Sequence, residues 1–191
     1  MAYQTYITEA LVCASIDSQT SDRSFLLFTR EAGMVYAHAQ SVREERSKHR
    51  YSLQECAHAR VTLVRGKAGW RVTGAEPLHN FYSLAHTREE RAFVRNIVLL
   101  IRRIMQGETA HEEVFDEVIF ACTHMKKSIP SKLECVLSLR ILHALGYIAN
   151  EATIAVYLDT PLATLKSDSL LVDTEKHCNT LITQALLESH L

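Results

Sequence analysis

Ser21-Asp22-Arg23-Ser24-Phe25-Leu26-Leu27-Phe28-Thr29-Arg30-Glu31-Ala32-Gly33 has the marks of a strand, a tight turn and the start of a second strand. A polar turn, the apolar run Phe25 to Phe28 and a tight turn over Thr29 to Gly33 lead straight into Met34 to Ala39, where large and small residues alternate. Apolar residues recurring with period two between polar turns place alternate side chains on one buried face, which is the pattern of a strand. The same pattern predicts five strands in the first 80 residues: roughly Tyr6–Ile16, Ser24–Thr29, Met34–Val42, Cys56–Val64 and Trp70–Glu76. Arg65-Gly66-Lys67-Ala68-Gly69 joins the last two, and its glycines can take the positive φ that a hairpin turn demands.

Five short strands cannot bury both faces as an open sheet, and curling into a barrel removes the exposed edges. An OB-type barrel fits that count. From residue 87 the period becomes helical. Thr87-x-x-Glu90, Thr109-x-x-Glu112 and Ser131-x-x-Glu134 each have capping-box spacing. Phe93, Ile97, Leu100, Ile101 and Ile104 make one stripe, Val114, Val118, Ala121, Cys122 and Met125 a second, and Leu133, Val136, Leu137, Ile141, Ala144 and Leu145 a third. Gly107 and Gly146 supply left-handed stops. Residues 77–86 hold Pro77 and no clear period. The expected layout is therefore α+β: an N-terminal five-stranded OB-fold barrel over 1–80, followed by an all-α helical domain over 81–191.

The chain has 191 residues, 47% apolar and 23% charged, enough for one sizeable core or two small ones. No apolar run reaches the roughly 18 residues of a membrane span, and Met1-Ala2-Tyr3-Gln4-Thr5 lacks the basic and apolar regions of a signal peptide, so no membrane partner and a cytoplasmic location are expected. Cys13, Cys56, Cys122, Cys135 and Cys178 are scattered without a Cys-x-x-Cys pair, which reads as buried thiols. The ten histidines form no His-x-x-x-His pair, and neither a nucleophile elbow nor a phosphate-binding glycine loop occurs. These absences point away from an enzyme and predict no cofactor and no metal.

Net charge is −1, yet residues 43–71 hold eight basic residues against three acidic ones, a local balance of +5. Cations spaced along a backbone groove with aromatic faces between them are what a nucleic-acid strand needs. Arg43, Arg46, Lys48, Arg50 and Tyr51 supply both on one connection, and Arg65, Lys67, Trp70 and Arg71 do so on the next hairpin. These nine are the candidate DNA contacts. Trp70 can equally be barrel core, and the cations can equally be a solvated loop.

The opening of the chain, Glu9-Ala10-Leu11-Val12 with Ser21-Asp22-Arg23, Phe28-Thr29-Arg30-Glu31 and Gly33, resembles the bacterial DNA repair protein RecO. Leu53-Gln54 stands where that family has Leu-Gln-Pro-Phe, with Glu55 and Cys56 in place of the last two residues, and Leu139 to Tyr147 is similar to the family's helix ending in Leu-Gly-Tyr. Most relatives place a four-cysteine zinc module after that helix, whereas this chain has no cysteine between Cys135 and Cys178, so the resemblance is to a short or divergent member without it. The resemblance implies a non-enzymatic recombination mediator. Such a protein binds single- and double-stranded DNA, anneals strands, accepts the acidic tail of the single-stranded DNA-binding protein and works with RecR to load recombinase. Arg102, Arg103 and Arg140 are then candidate cationic lips for that tail. The alternative is an OB-fold adaptor between proteins that has lost DNA binding.

Overall fold

The computed structural model describes residues 4–17, 22–40, 42, 49–127, 129–164 and 172–189. Five strands, β1 (Thr5–Asp17), β2 (Arg23–Thr29), β3 (Gly33–Ala39), β4 (Ala57–Gly66) and β5 (Gly69–Asn80), close into a barrel in the order β1-β2-β3-β5-β4. All neighbours are antiparallel except β3 and β5, which run parallel with Ala37 opposite Trp70. A helical turn, α1 (His49–Ser52), lies between β3 and β4. This order and this insertion are those of an OB fold.

Closure depends on β1 pairing twice. Its first half opposes β4 and its second half β2, and the register shifts between Val12 and Ala14. The extra residue of such a bulge bends the strand around the barrel. Inward positions from every strand, among them Ala10, Val12, Phe25, Leu27, Val35, Ala37, Val61, Leu63, Trp70 and Val72, form one core. The small residues Ala10, Ala37, Ala39, Ala57 and Ala59 leave room for Phe25 and Trp70.

Two strand ends differ from the sequence expectation by three residues or more. β3 stops at Ala39 instead of Val42, although Val42 is still buried in the core. β5 continues past Pro77 to Asn80. Pro77 is tolerated because the ladder is already broken there: His58 opposes His79 and Ala59 opposes Pro77, leaving Leu78 bulged out.

The chain separates into two compact units, residues 1–84 with 105–115, and residues 85–104 with 116–191. In the first unit, α2 (Phe81–Leu84) follows the barrel, and the segment 105–115 covers its β2–β3 end. There Met34 N–H donates to Gly107 O at 2.9 Å, Phe28 and Phe115 rings meet at 5.4 Å, and Arg30 pairs with Glu112 at 2.9 Å. Gly33 has φ +65, and a Cβ there would come within 2.2 Å of the Thr109 carbonyl oxygen, so both the turn and the close approach demand glycine.

The second unit holds most of α3 to α7: α3 (Arg88–Ile104), α4 (Glu112–His124) from Asp116 onward, α5 (Pro130–Ala144), α6 (Ala155–Asp159) and α7 (Val172–Glu188), with a 3₁₀ turn at Met125–Lys127. α3 starts on a complete capping box: Glu90 N–H donates to Thr87 Oγ1 at 3.1 Å, and Glu90 Oε2 accepts from the Thr87 amide at 3.3 Å and the His86 amide at 2.6 Å. The His86 amide, first among the causes, holds the Glu90 carboxyl below its ordinary range.

The other two boxes do not form. α4 begins only at Glu112, whose carboxylate is drawn to Arg30. α5 begins at Pro130 with Ile129 as its N-cap, because proline's fixed φ starts a helix at its first position. Ser131 is thereby already inside the helix, and Glu134 accepts from Asn96 Nδ2 at 3.0 Å instead.

Candidate nucleic-acid interface

The β4–β5 hairpin presents its cations outward because the strand alternation points its apolar residues in. Val61, Leu63, Trp70 and Val72 enter the core, while Arg65, Lys67 and Arg71 are exposed. Arg65 opposes Trp70 across the ladder, and its guanidinium lies 5.2 Å from the Trp70 ring centroid. Glu108 ties the two together: its Oε1 accepts the indole N–H at 2.9 Å and its Oε2 meets Arg65 at 3.0 Å. Tyr6 adds an edge-to-face contact with Trp70 at 5.2 Å. Trp70 is only 8% exposed, so its ring serves the barrel.

Beside this hairpin lies an outer face that the sequence reading did not single out. Tyr36 is 54% exposed on β3, directly opposite Leu26 of β2. His38, two residues on, opposes Arg71 of β5 and Ser24 of β2, and its Nε2 meets Asp22 at 3.3 Å. Tyr36, His38 and Arg71 thus share one outward surface. The signal was present, since period two with Val35 and Ala37 inside puts residue 36 outside. In OB barrels, the face of strands 2 and 3 and the turns β1–β2 and β4–β5 are where oligonucleotides are taken.

The remaining candidates divide. Arg43, Arg46 and Lys48 lie outside the described residues, and Arg50 falls in α1. Tyr51 is 68% exposed on α1, which packs on β5. Just after α1, Gln54 accepts from Asn80 Nδ2 at 3.3 Å, at the end of β5 remote from its turn. The described candidates therefore gather as Arg65, Lys67 and Arg71 on the hairpin, with Tyr51 on a separate element. Arg60 is paired with Glu9 at 3.6 Å and Glu76 at 3.7 Å.

In the second unit, Arg102 and Arg103 are exposed on α3, and Arg103 also donates to Leu186 O at 2.7 Å. Arg140 has a side chain only 12% exposed; it pairs with both carboxylate oxygens of Glu117 and donates to the carbonyls of Tyr157 and Thr160. Its donors are absorbed within the unit.

Residues 1–81 match the family described as Recombination protein O N terminal. That stretch is similar to a RecO N-terminal domain. The DNA repair protein RecO of Heliobacterium modesticaldum is 30% identical over 143 residues, which is 74% of this chain and 52% of that protein. The RecO of Desulfitobacterium hafniense is 27% identical over 142 residues, again 74% and 52%, and that of Clostridium novyi 26% over 142 residues, 73% and 56%. The chain spans about half the length of the curated relatives it matches.

Zinc needs about four converging ligands, and among the described residues no three of His, Cys, Asp and Glu converge. Cys135 of α5 and Cys178 of α7 are buried and hydrogen-bonded to each other. That bond pushes the Cys135 thiol up and draws Cys178 down to about 7 against the opposing effect of burial. Among the described residues no helix is long and apolar enough to cross a membrane.

Proposed function

We propose that this chain is a cytoplasmic, non-enzymatic recombination mediator of DNA repair. It binds single- and double-stranded DNA through the backbone, promotes annealing, and works with RecR and the acidic tail of the single-stranded DNA-binding protein to load recombinase. The observation that carries this reading is a RecO N-terminal barrel with Arg65, Lys67 and Arg71 exposed on its β4–β5 hairpin beside Tyr36. Annealing requires that phosphate repulsion between two strands be screened without base readout, and backbone cations do this. Arg43, Arg46, Lys48, Arg50 and Tyr51 extend the proposed contact set along the neighbouring connection, and exposed Arg102 and Arg103 are proposed for partner contacts.

A mobility shift with single-stranded DNA at low salt tests the reading, followed by Arg46, Lys48 and Arg50 each changed to alanine together. Binding whose salt slope drops in the triple variant supports the assignment, and an unchanged slope sinks it. Titration with a peptide ending in Asp-Asp-Ile-Pro-Phe tests the tail. The second reading, a protein adaptor, is favoured by Arg65 being held by Glu108 and Arg60 by Glu9 and Glu76. Absence of any shift at low salt would select it.

A further inference from the structure

Helix α3 carries five arginines, Arg88, Arg91, Arg95, Arg102 and Arg103, and all five are exposed. Three of them, Arg88, Arg95 and Arg102, are spaced by seven residues. Successive members are therefore about 10.5 Å apart along the axis and only about 20° apart around it, so the row runs straight for about 21 Å. Leu99, 47% exposed, sits on the same strip, and the opposite face buries Phe93, Val94, Ile97 and Ile101.

The row lacks the carboxylates that usually neutralise helix arginines three or four positions away. Around Arg95 those positions hold Arg91, Ala92, Val98 and Leu99, and around Arg102 they hold Val98, Leu99, Met105 and Gln106. Of the two carboxylates on α3, Glu90 is turned to the amides at its start and Glu89 lies about 100° away from Arg88. A polyanion laid along the row supplies the negative charge that its helix neighbours do not.

We propose that this row is a second nucleic-acid site, taking the sugar-phosphate backbone of single-stranded DNA along α3. The inference rests on the mediator reading for the identity of the polyanion, adds a site to it, and moves Arg102 from partner contact to DNA contact. A short acidic peptide with an apolar end needs a cup with cationic lips. The cavity described in this unit, of about 430 Å³, takes no lining from α3; it is walled by Phe120 and Leu162 and edged by Asp116, Glu117 and Asp159, with Arg140 already paired to Glu117. A straight, convex line of guanidinium groups suits an extended polyanion instead. Two cation arrays on one chain also meet what annealing requires, since two strands must be held at once.

The test uses the full chain with Arg88→Gln, Arg95→Gln and Arg102→Gln combined, glutamine being a comparable helix former. Single-stranded oligonucleotide affinity is measured across a salt series, and annealing of labelled complementary oligonucleotides is followed by energy transfer. The slope of log affinity against log salt is expected to fall by about 2, and annealing to slow by about tenfold. Leu99→Lys, which adds a cation to the row, is expected to steepen the slope by about 0.7 and decides the matter if the triple variant fails to fold. An unchanged slope in the folded triple variant, or a flat response to Leu99→Lys, overturns the proposal. Loss of binding to the Asp-Asp-Ile-Pro-Phe peptide with DNA binding intact overturns it in favour of an acidic-peptide surface. A wild-type chain that binds no DNA sinks the mediator reading along with it, whereas DNA binding that depends on Lys67 and Arg71 but not on the row sinks this inference alone.

Discussion

Trp70 donates its indole N–H to Glu108 at 2.9 Å across 38 residues of sequence, and the same carboxylate holds Arg65 at 3.0 Å. Glu108 therefore neutralises the one hairpin arginine that lies over Trp70. Replacing it by glutamine keeps an acceptor for the indole and removes the charge that competes for Arg65. Since an exposed ion pair contributes roughly 0.2–1 kcal/mol, Glu108→Gln is expected to raise single-stranded DNA affinity by up to about fivefold in an anisotropy titration. In an Arg65→Ala background the gain should vanish. Trp70 is the chain's single tryptophan, so its emission reports on this contact directly.

The turn at Gly33 tests how far the segment 105–115 belongs to the barrel. Gly33→Ala meets both a positive φ and the Thr109 backbone, for an expected loss of about 2–4 kcal/mol in urea unfolding. Gly69→Ala has φ +107 but nothing within 4 Å of the new Cβ, so backbone strain of about 1–2 kcal/mol is expected. Equal losses would mean that Thr109 does not press on the turn.

His58 gives the barrel a pH dependence. It is buried, its Nε2–H donates to Glu9 at 2.9 Å, and its Nδ1 is buried without a partner, so a second proton has nowhere to bond. Burial, opposed by Glu9, lowers its pKa from 6.5. The unfolded chain thus takes up a proton before the folded one, and the contribution present above about pH 6.5 is lost as pH falls below it. His58→Phe, placed between Phe81 and Phe115, should flatten the fall in stability between neutral and mildly acid pH. A pH profile identical to wild type would remove His58 as the cause.

Two matching sequence motifs should behave differently on mutation. Thr87→Ala removes an oxygen that accepts the Glu90 amide, for an expected loss of about 1 kcal/mol. Ser131→Ala touches a residue inside a helix that Pro130 already starts, so the change should stay within about 0.5 kcal/mol. Thermal unfolding of the two variants, side by side, distinguishes them.

These contrasts mark where sequence reasoning reached its limit. Strand alternation from Phe25 to Ala39 was legible because a side chain's facing is set by its immediate neighbours, and the same rule already implied that Tyr36 points outward. The α3 cap was legible because Thr87 and Glu90 meet within one turn. Ser131 was misread because the local spacing was right but the proline one residue earlier set the helix start. Pro77 looked like a strand end because only the β4 partner shows that the ladder is already bulged at Leu78.

The order of apolar and polar residues was enough by itself to determine five strands, an amphipathic α3 and a hairpin rich in cations. The partner of each cation came only from the folded chain: Glu108 for Arg65 and Glu117 for Arg140. Periodicity reports on residues a few positions apart, whereas Arg65 and Glu108 are brought together only after the barrel has closed and the segment 105–115 has folded back over its β2–β3 end.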